Sequence, residues 1–310
     1  MDGTRLRSAF ETVAFTTAVP FESEGSAVDH DALAGNLSGI YDAGARLFVA
    51  CGNTGEYYAL TDEERVAVTA THVEATGDEA TVAAGAAGNV QEVLDLADAY
   101  EAAGADALMV MHPDHTYVHE QGLKEYYRAI CDGTDLGVVI YKRGPTLTRD
   151  VIVDLTEHDA VVAVKFAVDD VKEFAQTVED AEGAVTWVNG IAERYAIPFA
   201  VGGATGYTTG VGNFVPRVTL ALFEAIEKEQ WDRARRIQQA LRPLEDLRDE
   251  PGAGSTIANG NNVPVVKCGL DLAGYEGGSV RPPLTDLGPS DRDRMETHFE
   301  HLDSWTPSQP

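Results

Sequence analysis

Lysine is nearly absent from this chain. Lys124, Lys142, Lys165, Lys172, Lys228 and Lys267 are the whole set in 310 residues, and 51 acidic residues bring the formal net charge to −28. No basic face is available to meet phosphate, which excludes a nucleic-acid binder. Cysteine is also scarce. Cys51, Cys131 and Cys268 are odd in number, far apart and free of C-x-x-C spacing. They exclude a disulfide framework or zinc site and fit a reducing cytoplasm. No apolar run reaches the roughly 20 residues of a membrane span. The N-terminal MDGTRLRSAF has no long apolar stretch, so no signal peptide is expected. A protein free of membrane, in the cytoplasm, is the resulting expectation.

The acidic residues do not read as disorder. They are interleaved with apolar positions, as in Asp29–Ala43 and Asp150–Glu157, and so mark solvated helix faces. Acid-rich, lysine-poor surfaces resemble those of proteins from a salt-loaded, halophilic cytoplasm. There a Debye length of about 3 Å at 1 M salt relieves self-repulsion.

Short β-rich apolar runs alternate with amphipathic stretches. The pattern predicts strands at Val13–Thr16, Leu47–Ala50, Thr81–Ala84, Ala107–Met111, Gly137–Tyr141, Val161–Phe166, Val185–Val188 and Ala204–Thr208. It predicts helices at Asp62–Ala75, Val90–Ala103, Gln121–Cys131, Val171–Ala181 and Ala192–Val201. Near-continuous apolar strands separated by helices indicate a parallel sheet covered on both faces. Eight such units indicate an α/β fold closed into a (β/α)8 TIM barrel with additional C-terminal helices. An open doubly wound sheet would want a glycine-rich dinucleotide turn after the first strand. The segment there reads AVPFESEG and has none.

The barrel core is expected over residues 1–213. The last barrel helix, a helical extension and a tail are expected over 214–310. Phe214–Glu229 and Gln230–Leu247 read as long helices, with Pro216 suited to a first turn and Pro243 expected to kink or end the second. Asp249–Asn262 reads as loop, Val263–Leu272 as a further helix, and the Pro- and Asp-rich tail from Ser279 as partly loose.

In a barrel, chemistry is carried by the carboxyl ends of strands and the loops that follow. Lys165 ends the run Val161-Val-Ala-Val-Lys165. An ammonium in such surroundings loses hydration, which lowers its pKa and yields an amine able to attack a carbonyl. Tyr141 ends Gly137-Val-Val-Ile-Tyr141, and a phenol there could shuttle protons or simply cap the core. Arg143 offers a two-pronged carboxylate fork. The turn Cys51-Gly-Asn-Thr-Gly-Glu56 follows a strand, and its glycines let backbone N–H groups and Thr54 approach an anion. His112 and His115 lack the further ligands that a metal needs, so no metal is expected. His115 reads as a proton donor or substrate contact.

The turn GNTGE at Gly52–Glu56, the strand end IYKRG at Ile140–Gly144 and the strand VAVKF at Val162–Phe166 resemble the dihydrodipicolinate synthase / N-acetylneuraminate lyase family. The resemblance spans about Phe10 to Leu287 and implies a lyase that forms a Schiff base with a 2-keto acid and needs no cofactor. Carried over by position, it implies Lys165 as the imine-forming lysine and Tyr141 as the proton shuttle. It places Thr54 and the backbone of Asn53 on the C1 carboxylate, and Arg143 on a substrate carboxylate or hydroxyl. Gly190 would lie beside the substrate chain, and Thr208 and Thr209 would line the mouth. A homotetramer, a dimer of dimers, is also implied.

Within the family, Gly212-Asn-Phe-Val-Pro-Arg217, Val266-Lys-Cys-Gly269 and Val280-Arg-Pro-Pro-Leu-Thr-Asp-Leu287 are similar to the members that dehydrate deoxy-keto sugar acids. A retro-aldolase releasing pyruvate, a synthase and a keto-acid-binding barrel without turnover stay open. Asn53 stands where the family has a threonine, which in the synthases relays protons. Lys142 beside Arg143 is expected to add to a cationic patch that attracts an anionic substrate.

Overall fold

The computed structural model describes residues 3–22, 25–113 and 115–303. Eight short parallel strands follow one another around a ring: β1 (Val13–Thr16), β2 (Leu47–Ala50), β3 (Thr81–Ala86), β4 (Ala107–Met111), β5 (Gly137–Arg143), β6 (Val161–Ala167), β7 (Thr186–Asn189) and β8 (Gly206–Thr209). Pairing of β8 with β1, with Ala14 opposite Thr208, closes the barrel. The expected (β/α)8 architecture is therefore present.

The barrel helices are α2 (His30–Asp42), α3 (Asp62–Thr76), α4 (Val90–Ala102), α5 (Glu120–Gly133), α6 (Arg149–Thr156), α7 (Val171–Asp180), α8 (Ala196–Val201) and α9 (Pro216–Glu227). Local chemistry starts several of them. Thr61 with Glu64, and Asn89 with Glu92, form reciprocal capping boxes at α3 and α4, each satisfying amide groups that the first turn leaves free.

Alternation along each strand sorts side chains between two apolar layers. Val139, Tyr141 and Val188 belong to the cluster that fills the barrel and continues under α2, α9 and the C-terminal helices. Val138, Ile140, Val164 and Phe166 belong to the layer between strands and helices. Inside the barrel, Phe10, Ala14, Val49, Ala83, Met109, Val139, Val188 and Thr208 surround Lys165 and leave a void of only about 10 Å³. That is at the limit for a single water, so the floor beneath Lys165 is tightly packed and mostly apolar.

The structure shifts several predicted boundaries. β8 starts two residues later than expected, because Ala204 still closes α8 through its N–H to the Phe199 carbonyl and Gly203 takes a left-handed φ of 109°. The predicted helix Ala192–Val201 breaks into a 3-10 turn, Glu193–Tyr195, followed by α8. Pro243 does not end its helix. Helix α10 (Trp231–Asp249) runs through it, with Ala234, Ile237, Leu241, Leu244 and Leu247 buried. One lost backbone bond is outweighed by that apolar stripe.

The tail is not loose throughout. Helix α12 (Pro289–Asp303) buries Met295 and Leu302, and Arg294 makes two bonds of 2.6 Å to Glu250. It packs with α10 and with α11 (Asn262–Leu272). At the other end of the chain, α1 (Gly3–Ala9) sets Leu6 beside Gly137 and Val162, and its Arg7 carbonyl accepts from Thr186 Oγ1 at 2.7 Å. It plugs the amino end of the barrel. No helix among the described residues is long and apolar enough to cross a membrane.

Candidate active site

Lys165 and Tyr141 are paired across β5 and β6 in the same register row, so both project into the barrel at its carboxyl end. Lys165 Nζ stands 4.3 Å from the centre of the Tyr141 ring. Both residues are buried. Burial, with the nearby Arg143 charge adding to it, pulls the Lys165 ammonium from 10.5 down to about 7. Near neutral pH a large fraction of it is a free amine. Burial pushes the Tyr141 phenol above its ordinary value, with the Arg143 charge and the Asn53 hydrogen bond pulling the other way. The phenol therefore rests protonated, beside two groups that would stabilise its anion.

The turn after β2 reaches the same point. Asn53 Nδ2 donates to Tyr141 Oη at 3.0 Å. Cys51 and Glu56 both sit at left-handed φ, 52° and 53°. That backbone is strained for a side-chain-bearing residue and persists only where its surroundings hold it. Thr54 is buried, with its hydroxyl 3.2 Å from that of Thr16 at the end of β1. Thr16 donates to the Thr209 carbonyl at 2.6 Å. A carbonyl only accepts, so Thr16 is left to accept from Thr54.

Lys165, Tyr141, Asn53 and Thr54 thus converge. Thr208 also lines the barrel interior with Lys165, and its hydroxyl donates to the Asn189 carbonyl. Gly190 follows β7 with its N–H on the Phe166 carbonyl at 2.7 Å, and an added Cβ would come within 2.7 Å of Ala167 Cβ. Arg143 ends β5 and is solvent-exposed.

Two expectations change. Thr209 does not line the mouth. One residue beyond Thr208, it points outward, where its hydroxyl donates to Glu193 and accepts from the Gly212 N–H at 2.7 Å. Lys142 adds nothing to a cationic patch at the mouth. It too points outward, donating to the Leu147 carbonyl at 2.6 Å and to Glu173 at 2.9 Å. His115 lies exposed at the rim, its Nδ1 accepting from the Tyr117 N–H at 3.1 Å within its own loop.

Lys142→Met is accordingly expected to leave kcat and KM within about twofold while lowering stability by about 1–3 kcal/mol through the lost buried bonds. Steady-state kinetics and urea unfolding on one preparation check both. Arg143→Met should weaken keto-acid binding about tenfold or more. It should also move the acid limb of kcat/KM upward from about 7, because a charge that disfavours the Lys165 ammonium is gone. An acid limb that stays in place would show that Arg143 does not act on Lys165.

Several residues at or behind the site escaped the sequence reading. Thr16 is one. Glu193 is another: its Oε1 accepts from Thr209 and from Thr219 at 2.6 Å, and burial with the Glu245 charge pushes its carboxyl upward. Lys267 pairs with Glu56 at 2.7 Å. The scarcity of lysine that drew attention to Lys165 applied equally to Lys267 and Lys142.

A closed barrel whose carboxyl-end mouth holds a desolvated lysine against a tyrosine defines a barrel enzyme equipped for carbonyl chemistry. The model of the dihydrodipicolinate synthetase family matches residues 9–302. The chain belongs to that family and is a lyase. It is 32% identical over 254 residues, 80% of each chain, to a probable 5-dehydro-4-deoxyglucarate dehydratase of Arthrobacter sp. (strain FB24). It is 27% identical over 288 residues, 92% of this chain and 95% of the other, to a 4-hydroxy-tetrahydrodipicolinate synthase of Natronomonas pharaonis. The crystal structure of dihydrodipicolinate synthase from Oceanobacillus iheyensis superposes with a TM-score of 0.93 at 31% identity, covering 98% of this chain and 100% of that one.

Proposed function

We propose that the protein dehydrates and decarboxylates 5-dehydro-4-deoxyglucarate to 2,5-dioxopentanoate through an imine on Lys165. The observation that carries this reading is the contact of Asn53 with Tyr141 at 3.0 Å. An amide is neither acid nor base near neutral pH, so no proton relay leaves Tyr141 through Asn53. A synthase that needs such a relay is disfavoured. A dehydratase can work with one tyrosine that takes a proton from C3 and gives it to the departing C4 hydroxyl. The dehydratase name of the Arthrobacter relative adds support.

The neutral Lys165 amine attacks C2 of the keto acid. Tyr141 protonates the carbinolamine oxygen, water leaves, and the iminium forms beside a tyrosinate held by Asn53 and Arg143. The tyrosinate takes a C3 proton to give the enamine. The enamine expels the C4 hydroxyl as water with the proton from Tyr141, giving a conjugated iminium. That iminium accepts the electron pair freed when the distal carboxylate departs as CO2. Reprotonation and hydrolysis of the imine release the dioxo acid and free Lys165. The backbone N–H groups of Thr54, whose hydroxyl is given to Thr16, and of Asn53 hold the C1 carboxylate, Arg143 contacts a further carboxylate or hydroxyl, and Thr208 and Gly190 bound the substrate chain.

Incubation with 5-dehydro-4-deoxyglucarate, a 2-keto-3-deoxypentonate and a 2-keto-3-deoxyhexonate tests the reading. One CO2 and one 2,5-dioxopentanoate per deoxyglucarate are expected. The same product without CO2 from the pentonate alone would assign a pentonate dehydratase, and pyruvate release a retro-aldolase. The protein further reads as a cytoplasmic homotetramer whose charge of −28 suits a salt-rich, halophilic interior.

A further inference from the structure

The barrel is complete at α9, yet the C-terminal extension reaches back to the turn that carries Asn53 and Thr54. From α11, Lys267 sends its ammonium to Glu56, the last residue of that turn, at 2.7 Å, with both side chains almost wholly buried. Two charges are taken out of water there, which is tolerable only because they meet. The other Glu56 oxygen accepts from the Arg281 N–H at 2.9 Å. Lys267 also donates to the Ser279 carbonyl at 2.6 Å, and it lies 4.3 Å from the Phe21 ring.

Arg281 completes the grip. Its guanidinium makes two bonds of 2.7 Å to Glu64, the glutamate of the α3 capping box. It also donates to the carbonyls of Ala59 at 2.9 Å and Gly25 at 2.8 Å, with its centre 4.1 Å from the Phe21 ring. The loop after β1, the turn after β2 and the start of α3 are thus tied to one strap.

Glu56 needs this hold. Its φ of 53° is strained for a glutamate, and such a conformation persists only where the surroundings over-determine it. Gly55 is pressed against the chain as well: a Cβ there would lie 2.9 Å from the Thr17 carbonyl oxygen. The turn is shaped from behind, while its front carries Asn53 on the Tyr141 oxygen and Thr54 on Thr16.

We propose that Lys267 and Arg281 are positioning residues, which set the Gly52–Glu56 turn from the C-terminal extension so that Asn53 and Thr54 hold the keto-acid C1 carboxylate with C2 facing Lys165. The proposal rests on the reading of that turn given above. Neither residue touches substrate; each acts through Glu56 and the backbone.

The test uses pyruvate, the simplest 2-keto acid carrying the C1 carboxylate, with borohydride trapping mapped by peptide mass. Four variants are compared with the wild type: Lys267→Met, Arg281→Lys, the neutral pair Glu56→Gln with Lys267→Met, and Arg294→Met. Arg294 grips Glu250 on the same extension, away from the turn. In Lys267→Met the half-saturating pyruvate concentration for labelling Lys165 is expected to rise about tenfold or more, since small displacements of a positioning group carry such losses. The maximal labelling rate should fall less. Arg281→Lys should show a smaller rise, and the neutral pair should recover much of the loss. Arg294→Met should lower the melting temperature with no change in half-saturation.

Half-saturation within twofold of wild type in Lys267→Met overturns the proposal. So does a rise that merely follows melting temperature across all variants, Arg294→Met included. If Lys267→Met fails to fold, the neutral pair and Arg281→Lys decide by the same readout. Wild-type enzyme left unlabelled at Lys165 by pyruvate and by all three sugar acids would instead sink the imine reading itself.

Discussion

Lys165→Met is expected to abolish turnover, lowering kcat by about 10⁴-fold or more, as loss of a covalent nucleophile commonly does. No borohydride adduct should form with any 2-keto acid. The remaining five lysines give no substitute, because a nucleophile here must be both desolvated and aimed into the mouth. Lys142 is buried but faces outward onto Glu173, and Lys267 is committed to Glu56. The wild-type pH profile follows from the same environment. With Lys165 lowered to about 7, kcat/KM should rise with pH through about 7 as the amine is freed.

The same variant should be more stable than wild type in acid. The folded pKa of about 7 lies below the unfolded 10.5, so between those values the unfolded chain binds more protons. Stability from this group is therefore present above 10.5 and lost as pH falls through about 7. Methionine has no such loss, and the gain below pH 7 should be on the order of a few kcal/mol. Activity and acid stability moving in opposite directions would mark Lys165 as a group held in an unfavourable environment for its chemistry. A variant that loses activity together with stability at pH 6 would point to a structural lysine.

Tyr141→Phe comes second, with an expected loss of about 10²–10⁴-fold in kcat, the usual range for a positioned acid–base group. It differs from Lys165→Met in one decisive respect. The adduct on Lys165 should still form, slowly, because the amine is intact. Phenylalanine keeps the ring against Lys165 and removes only the oxygen that Asn53 holds. Single-turnover experiments with borohydride quench separate slow imine formation from slow proton transfer. If Tyr141→Phe retains wild-type kcat with an unchanged pH profile, the phenol merely caps the barrel.

Much of the site was readable from the chain. A lysine closing a β-branched run, a tyrosine closing the strand before it and a glycine-rich turn after β2 are local patterns, and each sits where a barrel exposes strand ends. The outward facing of Lys142 and Thr209 was readable too. Each lies one residue from an inward neighbour, Tyr141 or Thr208, and strand side chains alternate. Grouping Lys142 with Arg143 ignored that period of two.

Sequence by itself thus indicated the eight βα units and placed the candidates Lys165, Tyr141 and Thr54 at strand ends, because periodicity and turn chemistry act over a few residues; Asn53 came in through the family resemblance. Only the tertiary structure decided which groups stand behind them. Thr16 reaches Thr209 and Lys267 reaches Glu56 across most of the chain, and Glu193 reaches Thr219 on the next barrel unit. No local pattern encodes such pairings. They follow from closing β8 onto β1 and docking the extension against the barrel, where a buried charge or hydroxyl must find whichever partner the packing brings within reach.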